Sequence, residues 1–247
     1  MDFLNTLTIF IYALLGGFVP GLFWMWFWLH EKHKHKEPRR VIIKVFICGM
    51  AAVLVSYLCQ KGVDAYLHVR TGTPMDVDLE TVIGGQYLMT LIHVIIEEFA
   101  KFAAAYVIAF RTKVFNEPID AFIYLMTAAV GFAAMENTLF LIQPLFNGQT
   151  LETVVTGHMR FIGASVLHVA SSGILSVFIG LSFCKGRLLR EVNVWLGLSV
   201  AILIHWTFNI LLVVSDPSYT FLVFSSIWVA TIFLILALER VKQIKCF

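Results

Sequence analysis

The chain has 247 residues, of which 59% are hydrophobic and 14% charged; the formal net charge is +2 and the mean hydropathy +0.84. So large an apolar excess excludes an ordinary soluble globular domain and calls for lipid as solvent. The small positive balance, with no basic stripe interleaved with aromatics, also excludes a nucleic-acid partner.

A bilayer core about 30 Å thick takes about 20 mostly apolar residues per helix. Seven stretches meet this requirement: 7–29, 41–60, 82–110, 120–143, 157–184, 192–214 and 219–239. The expected fold is therefore all-α, a polytopic transmembrane helical bundle of about seven spans, with residues 1–247 forming a single integral membrane domain. The first span has no Lys or Arg before it and runs into a basic loop rather than a small-residue cleavage site, so it reads as a retained helix, not a removable signal.

The loop after the first span holds Lys32, Lys34, Lys36, Arg39 and Arg40. Its alternating His and Lys residues at 30–36 have metal-binding side chains, yet beside a membrane they read as a solvated cytoplasmic anchor. Together with the loops at 111–118 and 185–190 and the tail from Arg240, this side carries thirteen Lys and Arg; the alternate loops carry two, Lys61 and Arg70. Positive charge is retained in the cytoplasm. The N-terminus is thus expected outside, the C-terminus inside, and the acidic 61–80 loop (Asp64, Asp76, Asp78, Glu80) outside.

An ionisable side chain at mid-membrane costs roughly 2.5–3.5 kcal/mol, so it normally faces the bundle interior and marks function. Four successive spans carry such residues. The third has His93, Glu97, Glu98 and Lys101; at about 100° per residue, Lys101 falls angularly between the two carboxylates. One ammonium neutralises one carboxylate, so one Glu has no partner on its own helix and is a candidate general base. The plainer reading is a structural ion pair.

The fourth span places Glu136 and Asn137 just after Gly131, Ala133 and Ala134, small residues that permit close helix approach. Asn137 alone would serve as packing glue. In the fifth span Arg160 precedes Ser165, His168 and Ser172, which share one helix face, and the sixth carries His205 and Asn209 one turn apart. The four cysteines, Cys48, Cys59, Cys184 and Cys246, lack metal-finger spacing, and neither a disulfide nor a zinc finger is predicted.

Glu and His together can activate a water and later protonate a leaving amine. His205 and Asn209, as potential donors, can stabilise an oxyanion. The same set can ligate a divalent metal such as zinc, with Glu98, Glu136, His168 and His205 as candidate ligands and a water in an open position. Without an HExxH signature the sequence does not favour zinc over a metal-free glutamate mechanism, and the cofactor stays open. A serine nucleophile, Ser165 or Ser172 with His205, would leave Glu97, Glu98 and Glu136 without a role. Two readings from other classes compete: a proton- or cation-coupled transporter using the buried Glu/His network, which the lack of internal symmetry or paired Gly/Pro breaks disfavours, and a non-catalytic membrane scaffold.

One ordered series runs through most of the chain: Pro20-Gly21, Lys36-Glu37-Pro38, Glu97-Glu98 with Lys101, Glu117-Pro118, Asp120, Gly131-Phe132 through Glu136-Asn137, Arg160, His168, His205 and Asn209. This series resembles the PrsW family of intramembrane proteases, in the clan of the type II CAAX prenyl endopeptidases. The resemblance implies that Glu97 or Glu98, with His168, activates the hydrolytic water. It implies that His205 and Asn209 bind the oxyanion, while Lys101, Glu136, Asn137 and Arg160 organise the site. It further implies a membrane-anchored protein substrate, such as an anti-sigma factor, in a bacterial inner membrane. Lys101 and Phe140 depart from related enzymes, which have Arg one position later and often Tyr, so prenyl-peptide specificity is not carried over.

Overall fold

The computed structural model describes residues 3–30, 38–71 and 79–246. The basic run at 31–36, the Lys36-Glu37 pair and the loop residues Asp76 and Asp78 lie outside the described residues. Among the described residues, eight α-helices follow in chain order: α1 (Phe3–His30), α2 (Arg39–Thr71), α3 (Leu79–Ala105), α4 (Asp120–Phe146), α5 (Thr150–Met159), α6 (Ser165–Ser182), α7 (Arg187–Val214) and α8 (Thr220–Lys242). π-helical turns at Tyr106–Phe110 and Arg160–Ala164 continue α3 and join α5 to α6. No β-strand occurs among the described residues.

With α5 and α6 continuous through the π turn, the helices make seven long passes. Six of these are long and apolar enough to cross a membrane. The exception is α3, which has 27 residues but carries Glu80, Glu97, Glu98 and Lys101. Its polar load is borne by neighbours rather than by lipid: Glu98 and Lys101 are both fully buried.

Burial sorts the helices into inner and outer sets. In α4 and the α5–α6 pass, 72% and 78% of the most apolar window is buried, against 22–33% for α1, α2, α7 and α8. The outer helices turn Leu58, Leu188, Phe221 and Phe233 outward, as a lipid-facing surface requires. Close backbone contact fixes α4 in the centre: a Cβ on Gly49 of α2 would strike the Ala128 carbonyl, and one on Gly131 of α4 would strike the Phe46 carbonyl. Small residues at this crossing let α2 and α4 approach where larger ones would hold them apart.

The structure corrects one expectation: Cys184 and Cys246 form a disulfide, with a Cα–Cα distance of 5.4 Å. They come together because the ends of α6 and α8 pack side by side, Gly180 lying against Val241. A sequence separation of 62 residues gives no spacing signal for this pairing. Cys48 and Cys59 are free.

Candidate active site

The buried polar residues of α3, α4, α6 and α7 converge on one cluster. At its centre, Glu98 Oε1 accepts three hydrogen bonds: from Lys101 Nζ at 2.5 Å, Ser171 Oγ at 2.9 Å and His205 Nδ1 at 2.6 Å. Glu98 is thereby committed to three neighbours from α3, α6 and α7, through charge-assisted hydrogen bonds that hold it in place. In the neutral imidazole, donation from Nδ1 of His205 to Glu98 leaves the lone pair on Nε2, which faces Glu97 Oε2 at 3.7 Å.

Glu97 is the carboxylate that Lys101 does not neutralise. Its Oε1 accepts a hydrogen bond from Gln60 Nε2 of α2 at 2.9 Å. Sequence reading did not single out Gln60; a Gln near the end of a span is an ordinary interfacial residue until its partner across the bundle is known. Ser171, also missed, carried no signal beyond its position one turn from His168.

His168 is buried between Lys101 and Glu136. Lysine only donates, so Nδ1 of His168 accepts from Lys101 Nζ at 3.2 Å, and Nε2–H donates to Glu136 Oε2 at 2.9 Å. Phe132 and His205 pack against the imidazole with ring centroids 5.2 and 5.0 Å away. Glu136 also receives Arg160 Nη2 in a close ion pair. The same guanidinium donates from Nε to Asn137 Oδ1 at 2.6 Å and lies 3.9 Å from the Phe140 ring centroid. Asn137 Nδ2 donates to Ser165 Oγ at 2.9 Å. The π turn at 160–164 sets the entry into α6, and such turns recur at functional sites.

Asn209 lies one turn beyond His205, half-buried, and makes no hydrogen bond with another described residue. His93 stands apart from the cluster, paired with Asp64 at 2.8 Å. Among the described residues no hydrogen bond joins Ser165 or Ser172 to His205, so the geometry offers no serine–histidine dyad.

A cavity of about 740 Å³ opens beside Glu97 between α2, α3 and α4. Gln60, His93, Glu97, Glu136 and Gln143 supply its polar wall, and Tyr57, Leu139 and Phe140 its apolar one. The buried hydroxyl of Ser56, on the same wall, has no partner among the described residues.

Donor atoms of Glu97, His168 and His205 lie within 4.8 Å of one another. Two imidazoles and a carboxylate, with room for a water, match the donor set of hydrolytic zinc sites. Glu97 and His205 Nε2 offer free lone pairs, whereas His168 would first exchange its bond to Glu136. With that exchange the residues fit a divalent ion. Of the ligand candidates named from sequence, Glu98 and Glu136 are instead held by Lys101, Ser171 and His205, and by Arg160 and His168, respectively.

Residues 37–238 match the PrsW family intramembrane metalloprotease. A protein named Protease PrsW from Geobacillus kaustophilus (strain HTA426) is 26% identical over 235 residues, covering 93% of this chain and 91% of its own. Another Protease PrsW, from Halalkalibacterium halodurans, is 30% identical over 128 residues, covering 51% of this chain and 54% of its own. No solved structure matches. The chain belongs to the PrsW family: it is an intramembrane protease, a multi-pass protein of the membrane that acts on a membrane protein.

Proposed function

We propose that this intramembrane protease, a single domain over its whole length, cuts an anti-sigma-factor-like, membrane-anchored protein at the Glu97, His168 and His205 cluster. The observation that carries this reading is the convergence of those donor atoms, from three helices, beside a cavity that Glu97 itself lines. The cavity's apolar wall suits an unwound stretch of a transmembrane segment, and its polar wall suits the backbone groups that unwinding frees.

Each residue then has a task. Gln60 fixes Oε1 of Glu97, leaving Oε2 to take a proton from a water that also donates to His205 Nε2. Glu98 holds His205 in the tautomer that keeps Nε2 an acceptor, and Lys101 and Ser171 hold Glu98 in place. Glu97 then passes the proton it took from water to the leaving amine, while His168, its Nε2–H held toward Glu136, helps position the water. Asn209, with an uncommitted amide, donates to the developing oxyanion. Arg160 and Asn137 orient Glu136. If a divalent ion is bound, Glu97, His168 and His205 hold it, and it supplies a polarised carbonyl and a more acidic water.

The test is cleavage of a panel of tagged single-span membrane proteins by purified protein in liposomes, with and without chelator. Products are expected from the wild type and not from Glu97→Gln or His168→Ala. Loss on chelation with rescue by zinc assigns the metal. Absence of any cleavage, with pH-driven flux that the same substitutions abolish, would replace the protease with a transporter.

A further inference from the structure

A second cleft, of about 430 Å³, lies where the π turn at 106–110, the end of α6 and the start of α7 meet, on the basic side of the bundle. Its floor is a continuous aromatic strip. Phe102 meets Tyr106 and Phe110 at centroid distances of 5.7 and 6.2 Å; Phe110 stacks on Phe115 at 4.4 Å, and Phe115 meets Phe183 at 5.2 Å. Its rim carries Arg187, Arg190 and Glu191. Arg187 Nε donates to Glu191 at 2.7 Å, while Arg190 makes no ion pair with another described residue. One carboxylate thus faces two guanidiniums, and the rim is positive.

We propose that this cleft binds an anionic phospholipid from the leaflet on the basic side, its acyl chain along the aromatic strip and its phosphate on Arg187 and Arg190. Three features point to lipid rather than to a soluble anion. The floor is apolar and aromatic, which a free phosphate does not need. The neighbouring Val107 and Leu188 are exposed apolar residues, so the mouth faces the hydrocarbon edge. The guanidiniums stand at that edge, where planar forks pair with phosphate oxygens, and basic pockets between membrane helices on the cytoplasmic side take anionic headgroups. Lys185, two residues before Arg187, adds to the attraction for negative charge.

The experiment titrates delipidated full-length protein in detergent with phosphatidylglycerol, phosphatidylcholine or glycerol 3-phosphate, following bound lipid by native mass spectrometry. Phosphatidylglycerol is expected to bind about tenfold more tightly than phosphatidylcholine, a difference of about 1.4 kcal/mol. The double substitution R187A/R190A is expected to remove that preference. R240A/K242A, which deletes the same charge on the same side outside the cleft, is expected to retain it. Glu191→Gln frees Arg187 and is expected to tighten binding, which keeps the test decisive even if the double variant misfolds. Equal binding of the two lipids overturns the proposal, as does equal loss in R240A/K242A. Displacement by glycerol 3-phosphate alone, or no gain in Glu191→Gln, overturns it as well.

Discussion

His205 donates from Nδ1 to Glu98 at 2.6 Å across 107 residues of sequence, tying α7 to α3 at the centre of the bundle. This contact separates the roles of two adjacent carboxylates: Glu98 is committed to holding its neighbours, and Glu97 faces the cavity.

Glu97→Gln and Glu98→Gln should therefore fail differently. Removing one partner of a buried ion pair leaves the other charge uncompensated, at a cost of about 3–5 kcal/mol. Glu98→Gln strands Lys101 and is expected to lower thermal stability in detergent as well as activity. Glu97→Gln, whose Oε1 position can still accept from Gln60, is expected to lose at least about 100-fold in cleavage rate, the lower end for a general base, with stability near wild type. Equal destabilisation of the two variants contradicts the division of roles.

Gln60 acts on the reaction only through Glu97. A carboxylate released from its hydrogen bond samples geometries away from the water, and misplacement by about 1 Å can cost up to about 100-fold. Gln60→Ala is expected to lower kcat by about tenfold to 100-fold with KM little changed, and to alter the pH profile of kcat. Gln60→Asn, one methylene short, should do the same. An unchanged profile would make Gln60 a packing residue.

Arg160 serves Glu136 and Asn137 with two different nitrogens of one planar group and stacks on Phe140. A lysine ammonium cannot reproduce that fork or the stacking. Arg160→Lys should therefore behave much like Arg160→Ala, each lowering kcat by about tenfold to 100-fold, the range for groups that orient active-site ligands. Full activity in Arg160→Lys would reduce the role of Arg160 to charge alone.

The architecture was legible from span length and hydropathy, because lipid admits few other ways to satisfy the backbone. The seven passes were found, most ends within a few residues, but α2 runs eleven residues past the expected end at 60 and the α5–α6 pass begins seven before 157; α3 was recognised although its polar residues lower its hydropathy. Glu97, Glu98, Lys101, Glu136, Arg160, His168 and His205 stood out because each is costly in a membrane. What stayed hidden was pairing. Helical angles placed Lys101 between two carboxylates but could not choose Glu98, a choice made by Ser171 and His205 from other helices. Gln60 was invisible because a neutral amide costs less in a membrane than a charged group and the span was expected to end there, and the Cys184–Cys246 bond because it depends on how α6 meets α8.

That disulfide lies on the face assigned by its basic residues to the cytoplasm, where thiols are kept reduced. Packing of α6 on α8 brings the sulfurs together, and the site lies elsewhere. Cys184→Ser with Cys246→Ser is expected to lower stability by about 2–4 kcal/mol yet leave the cleavage rate within about twofold of wild type, because the bond touches no residue of the catalytic cluster. A rate that follows added reductant would show instead that the bond reaches the site.

The most direct test of the account follows proteolysis in ¹⁸O-labelled water by mass spectrometry of the fragments, comparing wild type with Glu97→Gln in liposomes. The account expects a single ¹⁸O atom in the new C-terminal carboxylate of the wild-type product, and no product above background from Glu97→Gln at unchanged fold. Cleavage by Glu97→Gln at the wild-type rate would contradict the central claim that the cavity-facing carboxylate activates the water.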